Sequence, residues 1–148
     1  MKIVIIGDGK VGYKLAKQLS EENYDVVLID NNEEKLKETI NKLDITCVTG
    51  DGVSADVQKE AGVPEADLVI ACASTDELNM LSCLIAQRTG ARNTIARVRN
   101  PIYYQQIDML LRNNLMLLHL NLIALKLSLN YLKLKFLQMI NFVCWESV

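Results

Sequence analysis

The sequence contains almost no histidine, a side chain often used in metal sites and acid–base catalysis. It contains one histidine, His119, and four scattered cysteines, Cys47, Cys72, Cys83 and Cys144, with no C-x-x-C spacing. This spacing argues against both a metal site and a disulfide framework. Cys47 and Cys72 lie in apolar segments, where a cysteine usually acts as a small hydrophobic residue.

A strong charge and a long apolar run are also missing. The formal net charge is −2, so no basic field indicates a nucleic acid as partner. The apolar start, residues 1–7, is too short for a signal peptide. A membrane helix needs about 18 or more uninterrupted apolar residues, and polar residues interrupt every candidate run. We therefore expect a cytoplasmic protein that does not itself span a membrane.

Glycine and proline are absent after residue 101, and this absence divides the chain. Residues 1–110 carry 12 basic and 17 acidic residues, whereas residues 111–148 carry 4 basic and 1 acidic. Twelve of the last 38 residues are leucine. The composition therefore predicts a domain over residues 1–110, followed by an atypical leucine-rich tail over residues 111–148.

Strand-like and helix-like segments alternate within the predicted domain, which is typical of an α/β fold with a parallel sheet. The predicted strands are 2–6, 25–29, 45–48, 68–72 and 94–98, and the predicted helices are 10–22, 31–43, 54–61 and 75–89. Leu78, Leu81 and Ile85 share one side of the helix over 75–89, and Pro101 starts another helix. Right-handed crossovers predict a Rossmann-type, doubly wound sheet with strand order 3-2-1-4-5.

A glycine-rich loop joins the first strand to the first helix. It reads G-x-G-x-x-G and consists of Gly7, Asp8, Gly9, Lys10, Val11 and Gly12. In this context the first glycine permits the turn, the second admits a pyrophosphate, and the third lets the helix pack closely. The first N–H groups of the helix then point at the phosphates. The alternative is a glycine turn without a ligand.

An acidic residue ends the second predicted strand. Asp30 lies 18 residues after Gly12, where a carboxylate accepts hydrogen bonds from the adenosine ribose. Its charge would repel a 2′-phosphate, and the following Asn31 and Asn32 supply no arginine to offset that repulsion. This favours NAD over NADP. The alternative role for Asp30 is to cap the second helix.

Five linked motifs make the domain resemble the N-terminal domain of the Trk/Ktr potassium-uptake regulatory subunits, also called the RCK or KTN domain. The first two, I-I-G-D-G-K-V-G at 5–12 and V-L-I-D at 27–30, are shared with dehydrogenases. More specific are T-G-D-G at 49–52, D-L-V-I-A-C-A-S-T-D-E-L-N at 67–79 and I-A-R-V-R-N-P at 95–101. The resemblance covers about residues 2–109. It implies a sixth strand beyond Met109, where the sequence departs from the family pattern.

The resemblance also implies further ligand contacts at the carboxyl ends of the strands. The loop after the third strand would line the adenine pocket, the loop after the fourth would lie beside the ligand, and an arginine after the fifth would reach the phosphates. These residues are Asp51, Gly52, Ala73, Ser74, Thr75 and Arg97. The alternative for Arg97 and its neighbour Arg99 is two surface charges on an edge strand.

The function implied by the resemblance is regulatory and not enzymatic. Such domains bind NAD(H), or ATP and ADP, as homodimers or larger rings. They lie at the inner face of the plasma membrane, and the ligand biases a membrane potassium transporter or channel subunit. The physical basis would be a different nucleotide affinity for two arrangements of the ring.

Two other functions remain open from the residues alone. One is a small NAD-dependent oxidoreductase or a fragment of one, although 148 residues leave little room for a substrate domain. Hydride transfer also needs an acid or base beside the nicotinamide, and His119 lies in the atypical tail. The other is a nucleotide-binding module whose tail wraps a partner helix.

The tail over residues 111–148 allows two interpretations. Leu111, Leu115, Leu118 and Leu122 begin a series with alternating spacings of four and three residues, which is typical of a helix that packs on a partner. Alternatively, the tail is a translated out-of-frame sequence, because its composition changes where the family pattern ends. Its leucines would then favour aggregation.

Overall fold

The computed structural model describes residues 1–100 together with Ile102 and Tyr103. The strands are β1 (Lys2–Ile6), β2 (Asp25–Asp30), β3 (Thr46–Thr49), β4 (Leu68–Ala71) and β5 (Thr94–Ala96). They alternate with the helices α1 (Lys10–Glu21), α2 (Glu33–Ile40), α3 (Ala55–Glu60) and α4 (Asp76–Thr89), and a 3₁₀ turn over Val63–Glu65 precedes β4. All strand pairs are parallel, in the order β3-β2-β1-β4-β5. The predicted strand order 3-2-1-4-5 is confirmed.

The central strand β1 is buried on both faces, because a parallel sheet carries helices on each side. Ile3 and Ile5 pack into one core with residues of α1 and α2, and Val4 and Ile6 pack into a second core with residues of α3 and α4. All four side chains are buried. The alternation of strand side chains between the two faces thus produces two cores from one apolar run.

Several predicted boundaries differ from the observed ones. The second helix was expected over 31–43 but spans Glu33–Ile40, because Asn32 caps its start and residues 41–43 form turns. The fifth strand was expected to reach residue 98 but ends at Ala96. The 3₁₀ turn was not predicted, since a segment of three residues has no periodicity to detect.

The apolar side of α4 is not its buried side. Leu78 and Leu81 are exposed, and Ile85 is only partly buried. The buried positions are instead mostly small or polar, namely Asp76, Asn79, Ser82, Cys83 and Ala86. Small residues let α4 lie close to the sheet, and Asp76 and Asn79 bind backbone groups of neighbouring loops, as described below.

Several sequence-based expectations lie outside the described residues. These are the leucine-rich tail with His119 and Cys144, the sixth strand, and most of the helix expected from Pro101. Among the described residues, no helix is long and apolar enough to cross a membrane. That part of the chain also holds no cluster of three or more histidine, cysteine, aspartate or glutamate residues suited to a metal ion.

Candidate functional site

A cavity of about 450 Å³ opens at the carboxyl edge of the sheet, a size typical of small-molecule sites. Loops that follow all five strands contribute to its lining. They provide Gly7, Gly9 and Lys10 after β1, Asp30 and Asn31 at the end of β2, Asp51, Gly52 and Val53 after β3, Cys72, Ala73 and Ser74 after β4, and Arg97 after β5. The cavity also lies where the strand order reverses, between β1 and β4, as expected for ligand sites of doubly wound sheets.

The glycine loop is compact because two of its glycines have no space for a side chain. Gly7 has a positive φ of 104°, and a Cβ there would lie 2.8 Å from the backbone of Ala73. A Cβ on Gly12 would lie 1.8 Å from the Gly7 carbonyl oxygen. Gly9 differs, since a Cβ there would meet no protein atom within 4 Å. Gly9 therefore leaves open the side of the loop that borders the cavity.

The start of α1 differs from the starts of the other described α-helices. Side chains of Asn32, Ser54 and Thr75 cap α2, α3 and α4, and each of these helices has acidic residues in its first turn. Helix α1 begins after Gly9 with no side-chain cap and no acidic residue in its first turn. Its first N–H groups and the positive end of its dipole thus remain available to an anion in the cavity.

The Asp30 carboxylate is held in place by two backbone N–H groups. Its Oδ2 accepts a hydrogen bond of 2.6 Å from the backbone N–H of Asp8, and its Oδ1 accepts one of 2.9 Å from that of Asn32. The side chain of Asn32, not that of Asp30, caps α2 by accepting from the Lys35 N–H. The alternative that Asp30 is the helix cap is therefore wrong, and its carboxylate lines the cavity.

Asp8 belongs to the loop, but its side chain does not line the cavity. The side chain is fully buried, and its Oδ2 accepts a hydrogen bond of 2.8 Å from the Thr39 hydroxyl of α2. Among the described residues, Oδ1 has no hydrogen-bond partner. Burial raises the pKa of the Asp8 carboxyl above its usual value, although the Thr39 bond and the charge of Lys35 oppose this.

The loop after β3 is tied to α4 by a buried glutamine that sequence reasoning did not single out. Gln58 donates from Nε2 to the carbonyl oxygens of Gly52 at 2.7 Å and of Ser82 at 3.0 Å. A Cβ on Gly52 would lie 2.2 Å from the Ile6 side chain, so only glycine brings the loop this close to β1. Gly52 and Ser82 both line the cavity.

The loop after β4 is fixed by Asn79, which is fully buried one turn into α4. Its Oδ1 accepts from the Ala73 N–H at 2.6 Å, and its Nδ2 donates to the carbonyl oxygen of Arg97 at 2.8 Å. One amide side chain thereby joins the loops after β4 and β5, which both border the cavity. This role of Asn79 was not predicted from the sequence.

Hydrogen bonds to the Asp76 carboxylate, together called the Asp76 clamp, hold the segment that follows β5. Asp76 accepts hydrogen bonds from the backbone N–H groups of Arg99 and Asn100, at 2.9 and 2.8 Å, and from the Arg99 side chain at 3.3 Å. The Arg99 guanidinium also donates to the carbonyl oxygen of Ser74. Arg99 thus pairs with Asp76 and has a structural role, whereas Arg97 lines the cavity. The two arginines are therefore not equivalent surface charges.

The only sulfur in the cavity lining belongs to Cys72, as far as the described residues show. Its thiol lies 3.6 Å from the carbonyl oxygen of Gly7. Burial raises the pKa of Cys72 to about 12, opposed only in part by the charge of Arg97. The thiol is therefore protonated near neutral pH and is a poor nucleophile.

Most of the residues predicted for the site line one cavity, and three do not. Asp8 is buried below the loop, Gly12 packs against Gly7, and Thr75 caps α4 through its hydroxyl. Lining residues that the sequence interpretation left out are Ile6, Ile29, Lys35, Val53, Cys72, Leu78 and Ser82. Lys35 could have been found, because it lies in the first turn of the helix that follows Asp30. Which of these residues contact a ligand stays a prediction.

Comparisons of the sequence with known proteins indicate one family for this chain. Residues 3–115 match the TrkA-N domain family. The Trk system potassium uptake protein TrkA of Vibrio alginolyticus is 40% identical over 114 residues, which cover 76% of this chain and 25% of that protein. A homologue from Archaeoglobus fulgidus is 42% identical over 103 residues, covering 70% and 23%. The chain thus spans about a quarter of the length of these relatives.

Solved structures agree on the fold. A GsuK channel bound to NAD superposes with a TM-score of 0.64 at 21% identity, covering 73% of this chain and 20% of that one. GsuK bound to ADP gives a TM-score of 0.63 at 21% identity, covering 73% and 28%. An NAD(P)-binding domain of an exopolyphosphatase-related protein from Archaeoglobus fulgidus gives 0.64 at 19% identity, covering 72% and 80%.

Proposed function

Because this chain belongs to the TrkA-N domain family, as its motifs indicated, we propose that it binds NAD(H) at the glycine loop and acts as a non-enzymatic regulatory part of a potassium uptake system. The observation that carries the proposal is the uncapped start of α1 beside a cavity that Asp30 and Arg97 also line. The pyrophosphate would lie on the N–H groups of α1, with the Arg97 guanidinium as a charge-assisted partner. The adenosine ribose would donate hydrogen bonds to Asp30.

ATP and ADP are the alternative ligands of the same site. They share the adenosine and the phosphates that the loop, Asp30 and Arg97 would contact, and a fold neighbour was solved with ADP. NADP is disfavoured by the Asp30 carboxylate, although Lys35 in the cavity lining partly offsets that charge. Asp51 and Gly52 would lie at the adenine, and Ala73 and Ser74 beside the ligand.

The proposed partner is a membrane potassium transporter or channel subunit. The relatives are named for a potassium uptake system, which supports this partner and a place at the inner face of the plasma membrane. A homodimer or larger ring would carry the ligand signal through two arrangements with different nucleotide affinities. The Cys72 thiol stays protonated near neutral pH, so it supplies no nucleophile at the cavity, which supports a sensor that does not turn its ligand over.

Calorimetric titration with NAD, NADH, NADP, ATP and ADP in one buffer tests the ligand assignment. We expect NAD or NADH to bind and NADP to bind at least tenfold more weakly. Arg97→Met should weaken binding of every ligand that carries phosphates, while Arg88→Met, at an exposed position outside the cavity, should leave it unchanged. Absence of binding by all five ligands would overturn the proposal.

Two further measurements test the regulatory role. Prolonged incubation with NADH should leave it unoxidised, whereas turnover with a small substrate would favour the oxidoreductase. Co-purification from membranes should recover a potassium transporter whose transport rate responds to the nucleotide. A nucleotide-binding chain without such a partner would point to an isolated binding module.

A further inference from the structure

Asp8 occupies an unusual place under the proposed nucleotide site. It lies between Gly7 and Gly9, which both line the cavity, yet its own carboxyl group is fully buried. The hydroxyl of Thr39 donates to Oδ2, and Oδ1 has no partner in the described part of the chain. A buried carboxylate with one neutral donor is poorly compensated, because an ionised carboxylate can accept several hydrogen bonds.

Asp8 is also joined directly to the acid that would bind the ribose. The backbone N–H of Asp8 donates to Oδ2 of Asp30 at 2.6 Å, so one residue fixes both the loop and the Asp30 carboxylate. Asp8 therefore helps to position the site through its backbone N–H, although its side chain does not line the cavity.

The groups that face the Asp8 carboxyl leave its charge only partly balanced. Helix α2 contributes one lysine and one glutamate, β2 ends in an aspartate, and β3 and the loop after β4 each contribute a cysteine. Burial raises the pKa of the β3 thiol to about 11 and that of the thiol after β4 to about 12. These groups are Lys35, Glu38, Asp30, Cys47 and Cys72. Burial is the main reason why the pKa of Asp8 is raised, and the charges of Asp30 and Glu38 add to it.

A bound dinucleotide would place two negative phosphates on the loop that carries Asp8. An ionised Asp8 would oppose them, since its charge lies next to the N–H groups meant to attract an anion. Resting on the function proposed above, we propose that Asp8 is a positioning residue that takes up one proton from solvent when the dinucleotide binds. The neutral carboxyl keeps the Thr39 contact and the Asp30 contact without the opposing charge.

The coupling gives a definite sign to the pH dependence of binding. Affinity is highest where Asp8 is protonated in the free protein, and it falls as the pH rises through the pKa of the free form. The fall is at most about tenfold per pH unit for one proton, and it levels off once the pH exceeds the pKa of the complex. By reciprocity, the bound dinucleotide raises the proton affinity of Asp8 by the same factor.

NAD titrations of the full chain between about pH 5 and about pH 8 test the proposal. NAD is the suitable probe because its two phosphates stay ionised across this range. Asp8→Asn is neutral and nearly isosteric, and Asp56→Asn is the matched control because the Asp56 side chain is 94% exposed. All variants carry His119→Asn, which removes the single histidine from the titration.

We expect the affinity of the parent chain to fall with rising pH, and Asp56→Asn to behave identically. Asp8→Asn should bind with the affinity of the acid limit at every pH. Thr39→Val removes the donor that favours the charged form of Asp8, so it should move the fall to higher pH values. A fall that stays at the pH of the parent would show that another group titrates. A purely structural role for Thr39 would lower affinity equally at all pH values.

An Asp8→Asn variant that retains the slope of the parent would overturn the proposal, and so would pH-independent binding by the parent. Calorimetry in buffers of different ionisation heat counts the protons directly, and a count of zero would contradict the coupling. Failure of NAD to bind at any pH would instead contradict the proposed nucleotide function itself. The two failures are therefore distinguishable.

Discussion

Gly9 and Gly12 lie three residues apart in the same loop, but a methyl group would meet different surroundings at each position. At Gly12 its carbon would lie 1.8 Å from the Gly7 carbonyl oxygen, a distance that backbone atoms cannot tolerate. We expect Gly12→Ala to lower the free energy of unfolding by about 1–3 kcal/mol, as overpacking of a tight contact does. Urea denaturation of the two proteins measures this difference.

Gly9→Ala is the matched counterpart. Gly9 has a φ of −78°, which alanine adopts readily, and open space surrounds the position. Its stability should stay within about 1 kcal/mol of the wild type, whereas NAD affinity should fall at least tenfold because the methyl group occupies the ligand side of the loop. Unchanged NAD affinity in a stable Gly9→Ala variant would contradict the phosphate role of the loop.

Individual elements differ in how far the sequence predicts them. The strand order and the glycine loop follow from β-branched runs, crossover handedness and the G-x-G-x-x-G spacing. Helix α4 is different, since its leucines suggest one face and the fold buries the other. Asp76 and Asn79 are buried because they bind backbone groups of the segments after β4 and β5, and periodicity carries no information about such partners.

The Asp76 clamp gives element α4 an acid-sensitive attachment to the segment after β5. Burial disfavours the Asp76 charge, but the N–H groups of Asn100 and Arg99 and the Arg99 side chain outweigh it and lower the pKa. Its stabilising effect is therefore complete above the unfolded pKa of about 4 and is lost as the pH falls through the lower folded pKa.

We expect Asp76→Asn to lower the free energy of unfolding by about 1–3 kcal/mol at neutral pH. The amide nitrogen that replaces Oδ1 cannot accept from the Arg99 side chain, and the two backbone N–H groups on Oδ2 lose a charged acceptor. The difference from the wild type should shrink as the pH falls below about 4. Denaturation at neutral and acid pH measures it, and Asp56→Asn serves as the exposed control. A deficit that persists unchanged in acid would argue against the ionised clamp.

At the scale of the whole molecule, residues 1–100 contain the five-stranded sheet, both cores and every cavity-lining residue named above. The compositional boundary near residue 110 predicts that the tail adds nothing to nucleotide binding. A chain shortened to residues 1–110 should unfold cooperatively and bind NAD within about threefold of the full chain. Loss of cooperative unfolding in the shortened chain would show that the tail completes the domain.

The two backbone N–H groups on Asp30 have a kinetic consequence. The carboxylate is oriented before any ligand arrives, and Gln58 and Asn79 hold the neighbouring loops in the same way. An incoming dinucleotide would thus meet polar groups that are already oriented, and we expect no slow rearrangement after the encounter. Ligands that differ in their fit should share similar association rates and differ mainly in how long they stay bound.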